Sequence, residues 1–482
     1  MAVRRKTLIR VGIRALALVG ASVLAAGMLA AAAYVPWPEY RAEAPSVLVQ
    51  PAESRQQRVC PGPILALAED PAAATTASSV GPAEVVTATE PADAVLEQTP
   101  LEAPGNPRAD TDGAPVAIAA EPGGVDAGML AGAQSQGVAS ETLAGFAAAA
   151  CGEAVSESWL VAGATSLGRS GLVLLANPTP VAATVDVRVF GESGAVESPS
   201  SLGIIVPPGT QRVLSLAGLA PNLLSPVVHV TSTGGAIAAS LEHSVVVGLA
   251  PAGVELTGAT AAPATSQVIP GFAVPQAGGI DSLDDHADGD DYPAVRLFAP
   301  GAEAVEVSIG VAAEAGGAGN TIESTLQPGQ VIDVPLGSLD AGVYTLRIES
   351  DAPVVAAARA TVGGAQGQTD ASAPSDLAWT VATAPLLDSA VIAVPPGPSP
   401  TLHLVNPTGS EAEVTVNVGG GERAVSVPAA GAASVTLDGN RVVLGGVRGL
   451  HASVSFAGED QLASMAVQPP GPLDSPLLVY PR

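Results

Sequence analysis

The chain has 482 residues, a formal net charge of −27 at pH 7 and a pI near 4.3. That length suggests roughly two to four domains, and the acidity opposes nucleic-acid binding, which needs a cationic face for phosphates, and docking of a large domain on anionic lipid. Aromatic residues make up only 3% of the chain against 47% hydrophobic residues, so any core is built from small Ala and Val side chains that bury little area each.

The amino terminus reads "MAVRRKTLIRVGIRALALVGASVLAAGMLAAAAYVPWPEY". Residues 1–14 form a basic tail carrying Arg4, Arg5, Lys6, Arg10 and Arg14, and residues 15–33 are uncharged. Those nineteen residues would span about 28 Å as a helix, the thickness of a bilayer's hydrocarbon core. The cations hold the amino-terminal end in the cytoplasm, and Tyr34, Trp37 and Tyr40 stand where an outer aromatic belt would sit. Pro36 and Pro38 stop the helix. The pattern predicts a single-pass signal anchor in the cytoplasmic membrane. The alternative is a signal peptide cleaved near Ala33, at Ala31-Ala32-Ala33, giving a secreted protein. Either way the bulk of the chain is extracytoplasmic.

The chain holds two cysteines, Cys60 and Cys151. An even count in an exported chain reads as one disulfide. Closing a loop of about 90 residues would add on the order of 4 kcal/mol by constraining the unfolded chain.

Residues 41–157 read as an irregular β region closed by that disulfide, with low-complexity insertions rich in Ala, Pro, Glu, Thr and Gly. "AEVVTATE" and "APVAIAAEP" are short alternations of weak strand or loop character. From Ser158 a repeat begins. Opening strands "SWLVAGAT", "SQVIPGFAV" and "LAWTVATAP" are followed by "LVLLANPT", "AVRLFAPG" and "TLHLVNPT", then by period-two runs such as "ATVDVRVF" and "AEVTVNV". Val-rich alternation broken by Gly and Pro is the mark of strands. Asn177 and Asn406 can satisfy backbone donors while the following Pro fixes φ, and Pro208-Gly209 and Pro328-Gly329 suit type II turns. The expected fold class is mainly β, with a transmembrane helix, the disulfide-closed region and three tandem Ig- or fibronectin-III-like sandwiches projecting outward, over 158–264, 265–376 and 377–482. Trp159 and Trp379 then open matching units as core residues.

The stretch "CGEAVSESWLVAGATSLGRSGLVLLANPTPVAATVDVRVFGESGAVE", with "VCPGP" upstream, resembles the actinobacterial DUF5719 proteins, which combine an amino-terminal membrane segment with this Cys, Trp-strand and Leu-x-Asn-Pro pattern. Leu160-Val161 stands where such proteins often carry more aromatics. The resemblance implies an exported envelope protein and carries no catalytic or binding residues with it.

One acidic stretch, "DSLDDHADGDDYP", partly matches a calcium loop. The twelfth position of an EF-hand loop counted from Asp284 needs a Glu and is Val295, so that motif fails. Asp284, Asp288 and Asp290 remain a looser calcium candidate against the plainer reading of a solvated acidic insertion. His229, His403 and His451 lie in apolar strand patterns and read as packing residues. "LGRSG" around Ser170 lacks the Gly-x-Ser-x-Gly form. "TSTGGA" and "NVGGGER" read as hairpin tips.

The sequence therefore reads as a non-enzymatic, membrane-anchored structural or binding protein of the cell envelope. Its expected partners are the cytoplasmic membrane, through the helix, and an envelope protein or glycan, with no nucleic acid and no resident cofactor. An extracytoplasmic glycan-acting enzyme or enzyme subunit, and a calcium-dependent adhesive module, are the alternatives.

Overall fold

A computed structural model of the chain describes residues 16–28, 31, 47–49, 55–67, 76–106, 108–279, 292–316, 319–363, 376–470 and 477–479. The chain forms two units. The smaller holds both termini: a helix over 16–28 with solvent-exposed side chains, and the strand Val47–Val49 paired antiparallel with Leu477–Val479. Among the described residues no helix is long and apolar enough to cross a membrane.

The larger unit, residues 52–474, is β-structure throughout its sheets. The alternation seen in the sequence sets its faces. In the strand Ala183–Gly191, Val185, Val187 and Val189 are buried while Thr184 and Arg188 are exposed, as a period of two requires. The two Asn-Pro-Thr corners are the same structure built twice. Asn177 donates through Nδ2 to the carbonyls of Val181 (2.8 Å) and Val206 (2.9 Å), and its Oδ1 accepts from the N–H (3.0 Å) and hydroxyl (2.7 Å) of Thr179. Asn406 repeats every bond, to Ser410 (2.7 Å), Val427 (3.2 Å) and the N–H (2.9 Å) and hydroxyl (2.7 Å) of Thr408. Both amides are fully buried with their polar atoms satisfied. Gly419-Gly420, at φ 57° and 89°, turns the hairpin Ala412–Val418 and Gly421–Val427 in the way a two-residue loop needs.

One strand plan recurs in all the modules. In residues 157–258 the opening strand Glu157–Val161 pairs with Val227–Gly234, which pairs with Ala183–Gly191; the facing sheet runs Thr210–Ser215, Arg169–Asn177, Ala238–Val247, Ala250–Gly258. In residues 389–467 the matching orders are Ser389–Ala393, Arg441–Gly445, Ala412–Val418, Gly421–Val427 and Ala432–Thr436, Thr401–Val405, His451–Ala457, Leu462–Val467. Between them, the 21-residue strand Gly342–Val362 serves both sheets of the middle module. Its first part pairs with Ala264–Val274 and Val305–Ala313, and its second with Ala294–Phe298 and Asp376–Val381. A strand that passes from one sheet to the other in this way makes a sandwich corner.

Two features differ from the sequence-based expectation. The strand Asp376–Val381, expected to open the third module, pairs with Val362–Ala357 and closes the second. Trp379 therefore occupies a closing strand, whereas Trp159 occupies an opening one. The cause is that the alternation of "DLAWTV" describes a strand but not its hydrogen-bonding neighbour. Second, the region expected to be irregular follows the same plan. Gln56–Cys60 pairs with Val116–Ala120 and that with Leu96–Pro100, while Glu84–Thr89 pairs with Leu130–Ala139 and that with Ala144–Ala150. Cys60, at the end of its opening strand, is bonded to Cys151, just after its closing strand.

The four modules do not follow one another in file. Their closing strands, Ala144–Ala150, Ala250–Gly258, Asp376–Val381 and Leu462–Val467, touch in a closed cycle, the last returning to the first. Apolar clusters run across the joints. Leu172, Leu174, Val254 and Leu256 pack with Ile64, Leu143 and Ala149; Trp159 and Leu160 pack with Phe298 and Trp379; Phe146 and Ala148 pack with Leu402 and Phe456. Small Ala side chains on the closing strands allow this close approach.

Candidate functional site

At the meeting point of the closing strands stands one carboxylate. Asp376 is fully buried and accepts backbone N–H groups from all the closing strands: Phe146 at 2.8 Å, Val254 at 3.3 Å, its own neighbour Leu377 at 2.9 Å and Leu462 at 3.1 Å. The residues preceding these donors are Gly145, Gly253, Asp376 and Gln461, so the four strands present equivalent positions and the carboxylate fills one. The glycines are required there. A Cβ on Gly145, at φ 145°, would lie 2.5 Å from the Asp376 Oδ1, and one on Gly253, at φ 127°, would lie 3.0 Å from the Leu377 nitrogen. Burial pushes the Asp376 carboxyl up to about 7, against the opposing pull of its N–H donors. Glu255, on the next closing strand, is likewise buried and raised well above the ordinary range, first by burial and further by the charge of Asp376.

Each joint between modules carries its own polar fastener. Arg296, fully buried, makes a bidentate pair with Asp333 (2.8 and 3.0 Å) and donates to the carbonyls of Gly163 (2.7 Å), Leu224 (3.1 Å) and Pro226 (3.0 Å) of the preceding module. Its guanidinium also lies 4.5 Å from the Trp379 ring centre. Burial opposes the charge on Asp333, but Arg296 and Arg359 outweigh it and hold the carboxyl below its ordinary value. Glu242 accepts the N–H of Leu65 at 3.1 Å across another joint, and burial pushes it up to about 8. His403 donates from Nδ1 to Glu314 (2.7 Å) and its Nε2 lies 2.8 Å from the Ser455 hydroxyl. Arg441 donates to the Thr89 carbonyl at 2.9 Å and pairs with Glu90, joining the last module to the first.

A cavity of about 420 Å³ is lined by residues of every module, among them Leu130, Thr257, Trp159, Trp379, Ile392 and Met465. Arg58 and Glu153 on its wall form an ion pair at 3.5 Å. The indole N–H of Trp159, the indole N–H of Trp379 and the hydroxyl of Thr257 are buried without a hydrogen-bond partner, each a cost of about 1–3 kcal/mol unless something accepts from it. Trp159 is held in place by His229, whose ring stacks on it at 3.9 Å.

Of the residues singled out from sequence, Cys60 and Cys151 are joined as expected. Asp284, Asp288 and Asp290 lie outside the described residues. Among the described residues no group of three or more His, Cys, Asp or Glu side chains stands close enough to hold a metal. His229 packs on Trp159, while His403 and His451 bond across a joint, His451 through Nδ1 to the Thr383 carbonyl at 2.8 Å. Sequence reasoning passed over Asp376, Glu242, Glu255 and Arg296. The available signal was a single charge inside a short, otherwise apolar strand, as in "AVRLF" and "DLAWTV".

Comparison with solved structures finds the crystal structure of Thermotoga maritima 1070, at 18% identity over 25% of this chain and 92% of that one, TM-score 0.19. It also finds the tetra-tandem repeat from the extending region of a large adhesion protein, at 14% identity over 83% and 94%, TM-score 0.10. A calcium-stabilised adhesin with which an Antarctic bacterium binds ice follows at 14% identity over 81% and 94%, TM-score 0.11. At these TM-scores the likenesses carry no argument about fold or function. No curated protein matches the chain. A family model does match residues 107–440, and the chain accordingly belongs to DUF5719, a family of unknown function.

Proposed function

We propose that this protein is a structural and binding component of the cell envelope, anchored in the cytoplasmic membrane by its amino-terminal apolar segment, with its amino terminus cytoplasmic and its bulk extracytoplasmic. It acts by holding a partner protein or glycan rather than by turnover. The observation that carries this reading is the use made of buried charge. Asp376, Glu242, Asp333 with Arg296, and Glu314 with His403 each bond across a joint between modules. Groups of this kind tend to mark functional sites when they face a cleft, but ion-pair and hydrogen-bond networks that hold a structure together perturb them too. Here they make a stiff body, and a stiff scaffold presents its loops for recognition. The buried disulfide fits an oxidising compartment. The helix over 16–28 leaves Leu16, Val19, Val23 and Met28 at 62–75% exposure, surface that a bilayer would cover.

The test is a crosslinking pull-down of the tagged full-length protein from membranes. Recovery of a defined envelope complex is expected. A solitary protein that turns over a wall substrate would overturn the reading.

A further inference from the structure

We infer that two touching loops at one end of the module 157–258 dip their apolar side chains into the outer face of the bilayer that anchors the chain. This contact rests on the membrane-anchored reading above and adds a second point of attachment to it.

Backbone pairing makes the loops neighbours. Arg169–Asn177 and Ala238–Val247 run antiparallel, with Arg169 opposite Val245. Beyond that pair the Val246 N–H donates to the Gly168 carbonyl at 2.7 Å. The approach is close: a Cβ on Gly168, at φ 77°, would lie 2.4 Å from the Val246 carbonyl oxygen. One more step along the same register sets Leu167 beside Val247. Val247 pairs with Ala250, so Gly248 and Leu249 are the two turn residues at the apex of the hairpin, and Gly248 supplies the positive φ, 64°, that such a turn uses.

The side chains of this tip face solvent. Leu249 is 95% exposed, Leu167 94% and Val247 52%. A lone exposed leucine is ordinary, whereas three large apolar side chains on touching loops form a patch of the kind that marks an interaction surface. The patch projects from a hairpin apex, a shape that enters a fluid apolar phase without needing a matching pocket.

Charge and backbone bonding both favour a bilayer as the occupant. The chain carries 46 Asp and Glu residues, yet residues 163–169 and 245–253 contain none, and Arg169 is their one charged side chain. The self-charge that opposes docking of the body on lipid is therefore absent from the loops that would enter. The carbonyls of the leading loop are also bonded internally: Ser166 accepts the Arg169 N–H at 3.0 Å, Leu167 accepts Arg169 Nη1 at 3.1 Å, and Gly168 accepts Val246. Polar backbone already paired in this way leaves water at low cost. The exposed Leu202 and Ile205 of the same module lack this character, because Asp186 accepts the Gly203 N–H between them at 2.8 Å. They also lie at the other end of the sandwich: the Val206 carbonyl accepts from Asn177, at the far end of the strand that Arg169 begins.

A thiol-reactive fluorophore reads the contact, since Cys60 and Cys151 are bonded to each other and leave an added cysteine to take the label. The full chain carrying Leu249→Cys is reconstituted into vesicles of phosphatidylcholine and phosphatidylglycerol with a nitroxide lipid spin-labelled near the headgroup. Insertion to the headgroup–acyl boundary should quench the probe by about half or more. The same probe at Ile205→Cys, 55% exposed, should keep its emission. Leu167→Asp, which places an acid on an exposed side chain of the tip, should abolish most of the quenching at position 249. An unquenched probe at 249, equal quenching at 205, or quenching at 249 unchanged by Leu167→Asp would each overturn the proposal, the first two also being what a tip that docks on a protein would give. Flotation of the same vesicles in alkaline carbonate reads the anchor separately: a chain that floats with position 249 unquenched refutes the tip and leaves the anchor standing, and a chain that does not float refutes the anchor.

Discussion

Asp376 accepts the backbone N–H of Phe146 at 2.8 Å across 230 residues of chain, and this bond joins the second sandwich module to the disulfide-closed one. The same carboxylate binds Val254 and Leu462. One side chain is thus the common acceptor for strands of every module. Removing it strands several buried N–H groups at once, each worth about 1–3 kcal/mol, although it also relieves a buried charge. Asp376→Ala should lower the unfolding free energy by about 3 kcal/mol or more by guanidinium denaturation. Asp376→Asn, with one acceptor oxygen in place of two, should fall between the variant and the parent.

Gly145→Ala should damage the same point from the other side. Its new Cβ would meet the Asp376 carboxylate at 2.5 Å from a backbone at φ 145° that L side chains rarely adopt. A lowered melting temperature with intact far-ultraviolet β-signal is expected. Gly137→Ala, which meets nothing within 4 Å, serves as the neutral control.

Stability should decline as pH rises through neutrality. Burial raises Glu242 from 4.5 to about 8 and Asp376 from 3.8 to about 7, so over that window the folded chain holds protons that the unfolded chain has released. Their contribution is full below the unfolded values and is lost as pH climbs through the folded ones. Asp333 works in the opposite sense: its depressed value adds stability above the ordinary carboxylate range that is lost on acidification. Melting curves should therefore move down between about pH 5 and 8.5, and Glu242→Gln should flatten that slope. A slope unchanged in Glu242→Gln would exclude this residue as a source.

Arg296→Met should cost about 3–5 kcal/mol by leaving the Asp333 charge buried with Arg359 alone. Arg296→Lys should rescue little, because an ammonium cannot reproduce a planar fork that meets Asp333 and several carbonyls together. Urea denaturation of both variants checks this.

Reduction of the Cys60–Cys151 bond, which closes a separation of 91 residues, should cost about 4–5 kcal/mol on the chain-entropy estimate. Cys151→Ser measured beside the dithiothreitol-treated parent separates that effect from any other thiol chemistry.

Much of the local structure was legible. The alternation of "ATVDVRVFG" gave a strand with the expected faces, and the Asn-Pro-Thr corners of Asn177 and Asn406 were readable because their bonds reach only a few residues along the chain, plus one adjacent strand. The strand "VAIAA" was harder. Its residues are small and nearly all buried, so it offers no alternation to distinguish strand from loop. Its module was hidden for that reason.

The sequence by itself determined the mainly β class, the repeated sandwich plan and the pairing of the only cysteines, since period-two patterning, turn chemistry and cysteine arithmetic all act locally or by count. Only the tertiary structure decided that "DLAWTV" closes one module instead of opening the next, that the chain bends into a cycle, and that Asp376 and Arg296 sit at its joints. Those outcomes depend on which edges of finished sheets meet. A buried charge and a solvated one look alike in a strand until the partner surface, hundreds of residues away, has arrived.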